Sequence, residues 1–202
     1  MKKILHIILD TSIFVNPDSR TYFGNTPGEA LSNFLDQLKD KKQINCYIPP
    51  SVYEELAKFI DKFPPTQKII LINKKPPSSY QNPVPAMLVY EFIEEIRLRI
   101  NKGLRIAEKY TRKGLAASIG EAIPLGIPAQ KVKNEELIKN LRQEYRVALR
   151  EGIIDSKEDF DLVLLAKELN AYLATSDLGL VKWAQKLGIT CINAQELKAL
   201  IS

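Results

Sequence analysis

The hydrophobic positions of this chain follow two patterns in turn, one typical of buried strands and one typical of amphipathic helices. Residues 3–9 are apolar at nearly every position, as in a strand covered on both faces of a parallel sheet. Between residues 28 and 41 the apolar positions recur every three to four residues, which predicts a helix. This alternation stops at the proline-rich segment 75–85 and resumes after residue 152, so we expect an α/β fold with a parallel sheet flanked by helices. Further strands are expected over residues 44–48, 68–73, 172–174 and 190–193, and further helices over 50–60, 156–169, 178–187 and from 194.

The middle of the chain has a different character. A proline-rich segment at residues 75–85 marks a boundary, and the residues beyond it carry long helical patterns with many charges. The predicted organisation is a discontinuous α/β domain, residues 1–85 and 152–202, with a helical domain inserted at residues 86–151. Helices are expected over 87–101, 104–117 and 134–150, with an interruption at 120–128.

Acidic residues stand where predicted strands end and predicted helices begin. Asp10 ends the first strand, and Asp177 follows the strand at 172–174. Because the carboxyl ends of parallel strands share one edge of a sheet, these carboxylates should converge there. Converging carboxylates raise one another's pKa unless a cation lies among them, which predicts a divalent-metal site. A second acidic stretch adds the candidates Asp155, Asp159 and Asp161.

Helix capping is an alternative role for several of these carboxylates. Asp155 could be the N-cap of the helix that follows, with Glu158 completing a capping box. Asp177 could cap the next helix in the same way. Asp161 lies about 200° around the helix from Asp159, so it could be solvated or ion-paired instead. Asp10 has no such alternative, since a carboxylate ending a doubly buried strand is costly unless it is paired or metal-bound.

The single histidine and the two cysteines limit the kinds of catalysis and metal binding that the sequence allows. The only histidine, His6, lies inside the first strand, which argues against His-based acid–base catalysis and against zinc. Carboxylate oxygens suit Mg²⁺, with Mn²⁺ as an alternative. Cys46 and Cys191 lack metal-ligand spacing and suit a reducing compartment. No segment has the pattern of a signal peptide or the roughly 20 apolar residues of a membrane span, so we expect a cytoplasmic protein without membrane contact.

The formal net charge of +5 is concentrated in the predicted insertion. Residues 86–152 hold 13 Lys and Arg against nine Asp and Glu. Arginines spaced four residues apart predict a basic stripe on one helix, suited to a phosphate backbone. A solvated face with ion pairs to nearby glutamates is the alternative. The stripe is Arg142, Arg146 and Arg150, and a second basic cluster is Arg105, Lys109, Arg112 and Lys113.

Three segments resemble the PIN-domain nucleases. They are Asp10-Thr11-Ser12 after the first strand, the segment 50–56 with its two glutamates, and Asp159 followed 18 residues later by Asp177 in Thr175-Ser176-Asp177. The resemblance implies an acidic site formed by a strand aspartate, a helix glutamate, a helix aspartate and a second strand aspartate. These positions fall on Asp10, Glu55 (Glu54 if the register slips by one), Asp159 and Asp177.

Residues 155–169 and 174–184 resemble a narrower group, the minimal protein-only ribonuclease P family (HARP), and the helical insertion agrees. This resemblance adds Asp155 to the metal ligands, with Asp161 and Glu55 as supporting catalytic residues. It implies removal of the 5′ leader of precursor tRNA, no RNA subunit, and a higher-order homo-oligomer formed through the helices. The alternatives are a toxin-type PIN ribonuclease that cuts single-stranded RNA and a non-catalytic RNA-binding module.

Overall fold

The structure, a computed structural model, describes residues 4–60, 66–78, 85–119, 127–150, 154 and 156–202. The chain divides into two compact units. The first is formed by Met1–Pro85 together with Ile154–Ser202, and the second by Ala86–Ile153. Among the described residues, no helix is both long enough and apolar enough to cross a bilayer.

The first unit is built on a five-stranded sheet in which every described strand pair is parallel. The strands are β1 (Leu5–Leu9), β2 (Ile44–Ile48), β3 (Ile72–Lys74), β4 (Tyr172–Ala174) and β5 (Cys191–Ile192). Their order in the sheet is β3-β2-β1-β4-β5, so β1 is central and has β2 on one side and β4 on the other. Ile7 pairs with Cys46 in one direction and with Tyr172 in the other.

Capping residues set the ends of several helices. Thr26 and Glu29 form a reciprocal capping box at the start of the helix Pro27–Leu38, and Asn170 adopts a left-handed conformation with φ 46° at the end of the helix Lys157–Leu169. Within the described residues the helices are α1 (Ser12–Val15), α2 (Pro17–Arg20), α3 (Pro27–Leu38), α4 (Pro50–Ala57), α5 (Thr66–Ile69), α6 (Ala86–Ile119), α7 (Ile127–Arg150), α8 (Lys157–Leu169), α9 (Leu178–Lys186) and α10 (Ala194–Ile201).

Three predictions about elements were wrong in detail. The helix expected from residue 134 begins at Ile127, inside the interruption expected at 120–128. The strand expected over residues 68–73 is a short helix, Thr66–Ile69, followed by the strand Ile72–Lys74. The two helices expected before residue 118 are one continuous helix, α6, because Gly103 packs against α7 instead of ending a helix. A Cβ at Gly103 would lie 2.9 Å from Cε2 of Tyr145, so the missing side chain lets the two helices approach.

Two glycines are expected to respond oppositely to replacement by alanine. At Gly24 a Cβ would lie 2.7 Å from the backbone nitrogen of Ala30, which cannot move without disturbing α3. Gly24→Ala should therefore destabilise the protein by about 1–3 kcal/mol. Gly114 lies inside α6, and its Cβ would meet Leu137 at an ordinary 3.7 Å. Gly114→Ala should gain up to about 1 kcal/mol of helix propensity. Thermal unfolding measures both, and equal shifts in the same direction would contradict the packing argument.

Candidate active site

The strand order reverses beside β1, where β2 lies on one side and β4 on the other. In open parallel sheets this switch point opens a crevice at the carboxyl ends of the strands, where ligands bind. Asp10 follows β1 directly, and Asp177 lies three residues after β4. The backbone N–H of Asp10 donates to the carbonyl of Ala174 at 3.0 Å, which holds the two strand ends side by side.

Hydroxyl groups hold the Asp10 carboxylate in place. Ser12 Oγ and Thr175 Oγ1 donate to its Oδ2 at 2.5 and 2.6 Å, and Thr11 Oγ1 donates to its Oδ1 at 3.3 Å. The Thr175 hydroxyl also accepts from the backbone N–H of Asp177 at 3.0 Å. Thr175 therefore links the two strand-end aspartates directly.

The Asp10 carboxyl is buried, at 5% exposure, and its pKa is raised above the ordinary value of 3.8. Burial is the main cause, and the charge of Asp177 adds to it. The hydrogen bonds from Ser12 and Thr175 act in the opposite direction by stabilising the charged form. A buried carboxylate with this balance favours either a proton or a cation beside it.

Asp177 serves as the N-cap of α9. Its Oδ1 accepts from the N–H groups of Gly179 and Leu180 at 2.6 and 3.1 Å. No described residue donates a hydrogen bond to its Oδ2. The predicted capping role is therefore confirmed, and because Asp177 also borders the cleft described next, capping does not exclude a second role.

A cleft of about 430 Å³ opens at these strand ends. Strand ends supply two of its acids, the second turn of α4 supplies two more, and the first turn of α8 supplies the last two. Six carboxylates line it together with three serines, one threonine and one lysine. The lining residues are Asp10, Thr11, Ser12, Ser51, Glu54, Glu55, Lys58, Ser156, Glu158, Asp159 and Asp177.

The carboxylates of the cleft influence one another. The pKa of Glu55 is raised first by burial and then by the charges of Asp10 and Glu158, while Lys58 lowers it. Repulsion between residues from β1, α4 and α8 shows that their charges converge on one space. The prediction of convergence therefore holds for these acids, although sequence reasoning assigned no site role to Glu158, which it considered only as part of a capping box.

The helix α8 is capped by a serine and not by Asp155, the residue considered for that role in the sequence analysis. Ser156 is the N-cap of α8, and its Oγ accepts from the backbone N–H of Asp159 at 3.0 Å. The capping role considered for Asp155 was therefore wrong, since the helix begins at Lys157 and serine already occupies the cap. Asp155 itself lies outside the described residues. Asp161 is not among the residues lining the cleft; it accepts from Ser51 Oγ at 3.0 Å and so ties α8 to α4.

His6 and the predicted basic residues lie elsewhere. The His6 ring packs 5.6 Å from the Tyr47 ring, at the other end of β1 from Asp10. Arg142 and Arg146 are exposed and line a shallow groove along α7. Lys109 is paired with Glu144 of α7 at 2.7 Å, which joins α6 to α7. Arg105, Arg112 and Lys113 are exposed on α6, and the side chain of Arg150 is outside the described part of the chain.

Comparison with known proteins identifies the family. A family model described as "PINc domain ribonuclease" matches residues 6–202. A Pyrococcus furiosus protein named RNA-free ribonuclease P is 43% identical over 199 residues, covering 98% of this chain and 93% of the relative. The chain belongs to the RNA-free ribonuclease P family. Relatives of the same name from Thermodesulfovibrio yellowstonii and Halorhodospira halophila are 44% and 39% identical, over 98% and 96% of this chain and 93% and 88% of theirs.

Membership of the RNA-free ribonuclease P family confirms the predicted PIN-like α/β fold and makes this chain an endoribonuclease. It also confirms the resemblance drawn from residues 155–169 and 174–184. The matched length includes the helical insertion, because the matches cover 98% of this chain.

PIN-domain nucleases in general depend on divalent metals. Within the described residues, no three His, Cys, Asp or Glu side chains are close enough together to hold an ion. The donor chemistry nevertheless fits one, because the cleft offers carboxylate and hydroxyl oxygens, and no described lining residue is a histidine or cysteine. The raised pKa values of Asp10 and Glu55 agree, since a cation would stabilise the charged carboxylates that burial, and then neighbouring charges, disfavour.

Proposed function

We propose that this chain is a Mg²⁺-dependent ribonuclease P that removes the 5′ leader of precursor tRNA and leaves a 5′-phosphate, without an RNA subunit. The observation that carries the proposal is the cleft that Asp10, Asp177, Asp159 and Glu55 line together. The chain that holds this cleft is similar over nearly its full length to RNA-free ribonucleases P. Two free thiols agree with the cytoplasmic location that we propose.

Asp10, Asp159 and Asp177 would hold the metal, joined by Asp155 on the strength of the family resemblance. Bound there, Mg²⁺ or Mn²⁺ would activate water and neutralise charge at phosphorus. Ser12 and Thr175 orient the Asp10 carboxylate by donating to the same oxygen. Ser51 and Asp161 keep α4 beside α8, so that Glu55 borders the same cleft as Asp159. Glu55 and Asp161 thus support the site, and Asp161 does so through Ser51.

The second unit would bind the tRNA body through its exposed cations. Arg142 and Arg146 follow one face of α7, a spacing suited to successive phosphates. Arg150 continues that spacing in the sequence, and Arg105, Arg112 and Lys113 would add contacts on α6. Lys109 would contribute least, because its ammonium already binds Glu144.

The same unit would also assemble the protein into a higher-order homo-oligomer. Its two long helices expose many large apolar side chains, more than a soluble surface normally leaves uncovered. They include Val89, Phe92, Ile93, Ile96, Ile100 and Tyr145, each at least 39% exposed. Sedimentation of the full chain measures the number of subunits.

Cleavage of 5′-labelled precursor tRNA in the presence of Mg²⁺ tests the proposed reaction. A single cut at the mature 5′ end that leaves a 5′-phosphate is expected. Scattered cuts in single-stranded loops would indicate a toxin-type ribonuclease instead. Binding without any cleavage would indicate a non-catalytic RNA-binding module.

Removing two arginines of the stripe should weaken tRNA binding in a salt-dependent way. Each phosphate contact adds roughly one unit to the slope of log affinity against log salt. Arg142→Gln with Arg146→Gln should therefore lower affinity and reduce that slope by about 1–2 units. The matched control is Lys39→Gln with Lys42→Gln, two exposed cations of the first unit. An unchanged slope, or an equal loss in the control, would remove the stripe from the tRNA contact.

A further inference from the structure

Lys58 lines the cleft, and the acidic chemistry assigns it no role. It is the C-cap residue of α4, and its backbone N–H donates to the carbonyl of Glu55 at 3.0 Å. The helix end therefore fixes where its side chain starts. Among the described residues that line the cleft, it is the only one with a positive charge, against six carboxylates.

The ammonium of Lys58 has no partner within the described part of the chain. Some lysines of the protein are paired with a carboxylate, as Lys75 is with Glu168 and Lys109 with Glu144. Lys58 forms neither an ion pair nor a side-chain hydrogen bond there, and it is exposed. Its charge acts on Glu55 only at a distance. The charge is thus available to a ligand that enters the cleft.

RNA entering this cleft meets a strongly negative surface. A phosphodiester carries one negative charge, and carboxylates on several sides repel it. A lysine ammonium is a compact charge on a flexible stem and binds phosphate oxygens without needing fixed geometry. A cation at this place would attract the phosphodiester and would stabilise the negative charge that grows on it during cleavage.

We propose that Lys58 is a catalytic residue whose ammonium contacts a non-bridging oxygen of the phosphodiester that enters the cleft. This inference rests on the proposed ribonuclease function. Lys58 keeps its proton throughout and forms no covalent bond to the substrate. The alternative is a purely structural role, since a cation at a helix C-terminus is favoured by the helix dipole.

Single-turnover cleavage of 5′-labelled precursor tRNA separates the two roles. Lys58→Met should lower kcat/KM by about 10- to 100-fold, the usual effect of losing a charged hydrogen bond. Lys58→Arg restores the charge and should recover most of the rate. Lys42→Met is the matched control, because Lys42 is exposed and precedes β2, at the opposite edge of the sheet from the cleft. It should cleave at the wild-type rate.

The Mg²⁺ dependence gives a readout that structural damage would move in the other direction. Removing the only described cation lining the cleft makes it more negative, so half-saturation by Mg²⁺ should occur at an equal or lower concentration in Lys58→Met. Damage to α4 would weaken Mg²⁺ binding and lower the melting temperature. An unchanged rate in Lys58→Met, an equal defect in Lys58→Arg, or weakened Mg²⁺ binding would each overturn the proposal. Wild-type protein that fails to cut at the 5′ end would instead overturn the proposed function.

Discussion

Replacing Asp10 by asparagine is expected to slow cleavage of precursor tRNA by about 10³-fold and to leave tRNA affinity unchanged. The expected loss follows from the several kcal/mol that a correctly held metal ion contributes, at about 1.4 kcal/mol for each factor of ten. Affinity should persist because the proposed tRNA contacts lie on α6 and α7. Single-turnover rates and filter binding measure the two quantities. Asp40→Asn, at an exposed position before β2, is the control and should retain activity.

The same variant should be more stable than wild type when no metal is present. Burial raises the pKa of Asp10, so its charged form opposes folding. Below the ordinary pKa of 3.8 the carboxyl is protonated in the folded and in the unfolded protein, and its contribution to stability is fully present. That contribution is lost as the pH rises through the raised pKa of the folded state. The amide that replaces it would remain neutral throughout this range. In EDTA at neutral pH, Asp10→Asn should therefore melt higher than wild type, by about 2–4 °C for each kcal/mol.

A lower melting temperature for Asp10→Asn in EDTA would mean that the hydroxyl contacts outweigh the cost of burial. Added Mg²⁺ should raise the melting temperature of wild type and not that of the variant, because binding to the folded state alone stabilises it. Retained cleavage would remove Asp10 from the metal site, whatever the stability result.

Replacing Phe34 by alanine is expected to cost about 3–5 kcal/mol of folding free energy. Phe34 is fully buried, and its ring packs edge-on against Phe14 at 5.4 Å and Phe23 at 5.7 Å. Alanine would leave a cavity beneath α1, the helix whose first residue, Ser12, donates a hydrogen bond to Asp10. Denaturant unfolding measures the loss. Phe59→Ala is the matched control, since Phe59 is 49% exposed and its truncation should cost far less.

Activity separates stability from chemistry in Phe34→Ala. Where the variant is still folded, its cleavage rate should stay well above that of Asp10→Asn, because the cleft acids remain present. A loss of stability equal to that of Phe59→Ala would show that the aromatic cluster contributes little to the core.

Much of the first unit could be predicted because its elements carry strong local signals. The nearly continuous apolar run of β1 indicated a buried parallel strand, and the acid directly after it marked the edge of the sheet where the cleft lies. Prediction was weaker where a residue has two uses. The pattern predicted two helices, over 87–101 and 104–117, yet Gly103 lies inside one long helix, where its lack of a side chain serves the contact with Tyr145. Lys109 suggested RNA contact, yet its ammonium binds Glu144.

The sequence by itself determined the parallel α/β fold, the inserted helices and the positions of Asp10 and Asp177 at strand ends, because hydrophobic periodicity and strand-end acids are local features of the chain. Only the tertiary structure decided that β1 and β4 are neighbours, that Thr175 joins their two aspartates, and that Glu158 and Lys58 border the same cleft. These relations join residues that are more than a hundred positions apart in some cases. Strand order and helix packing set them, and no spacing along the chain encodes either.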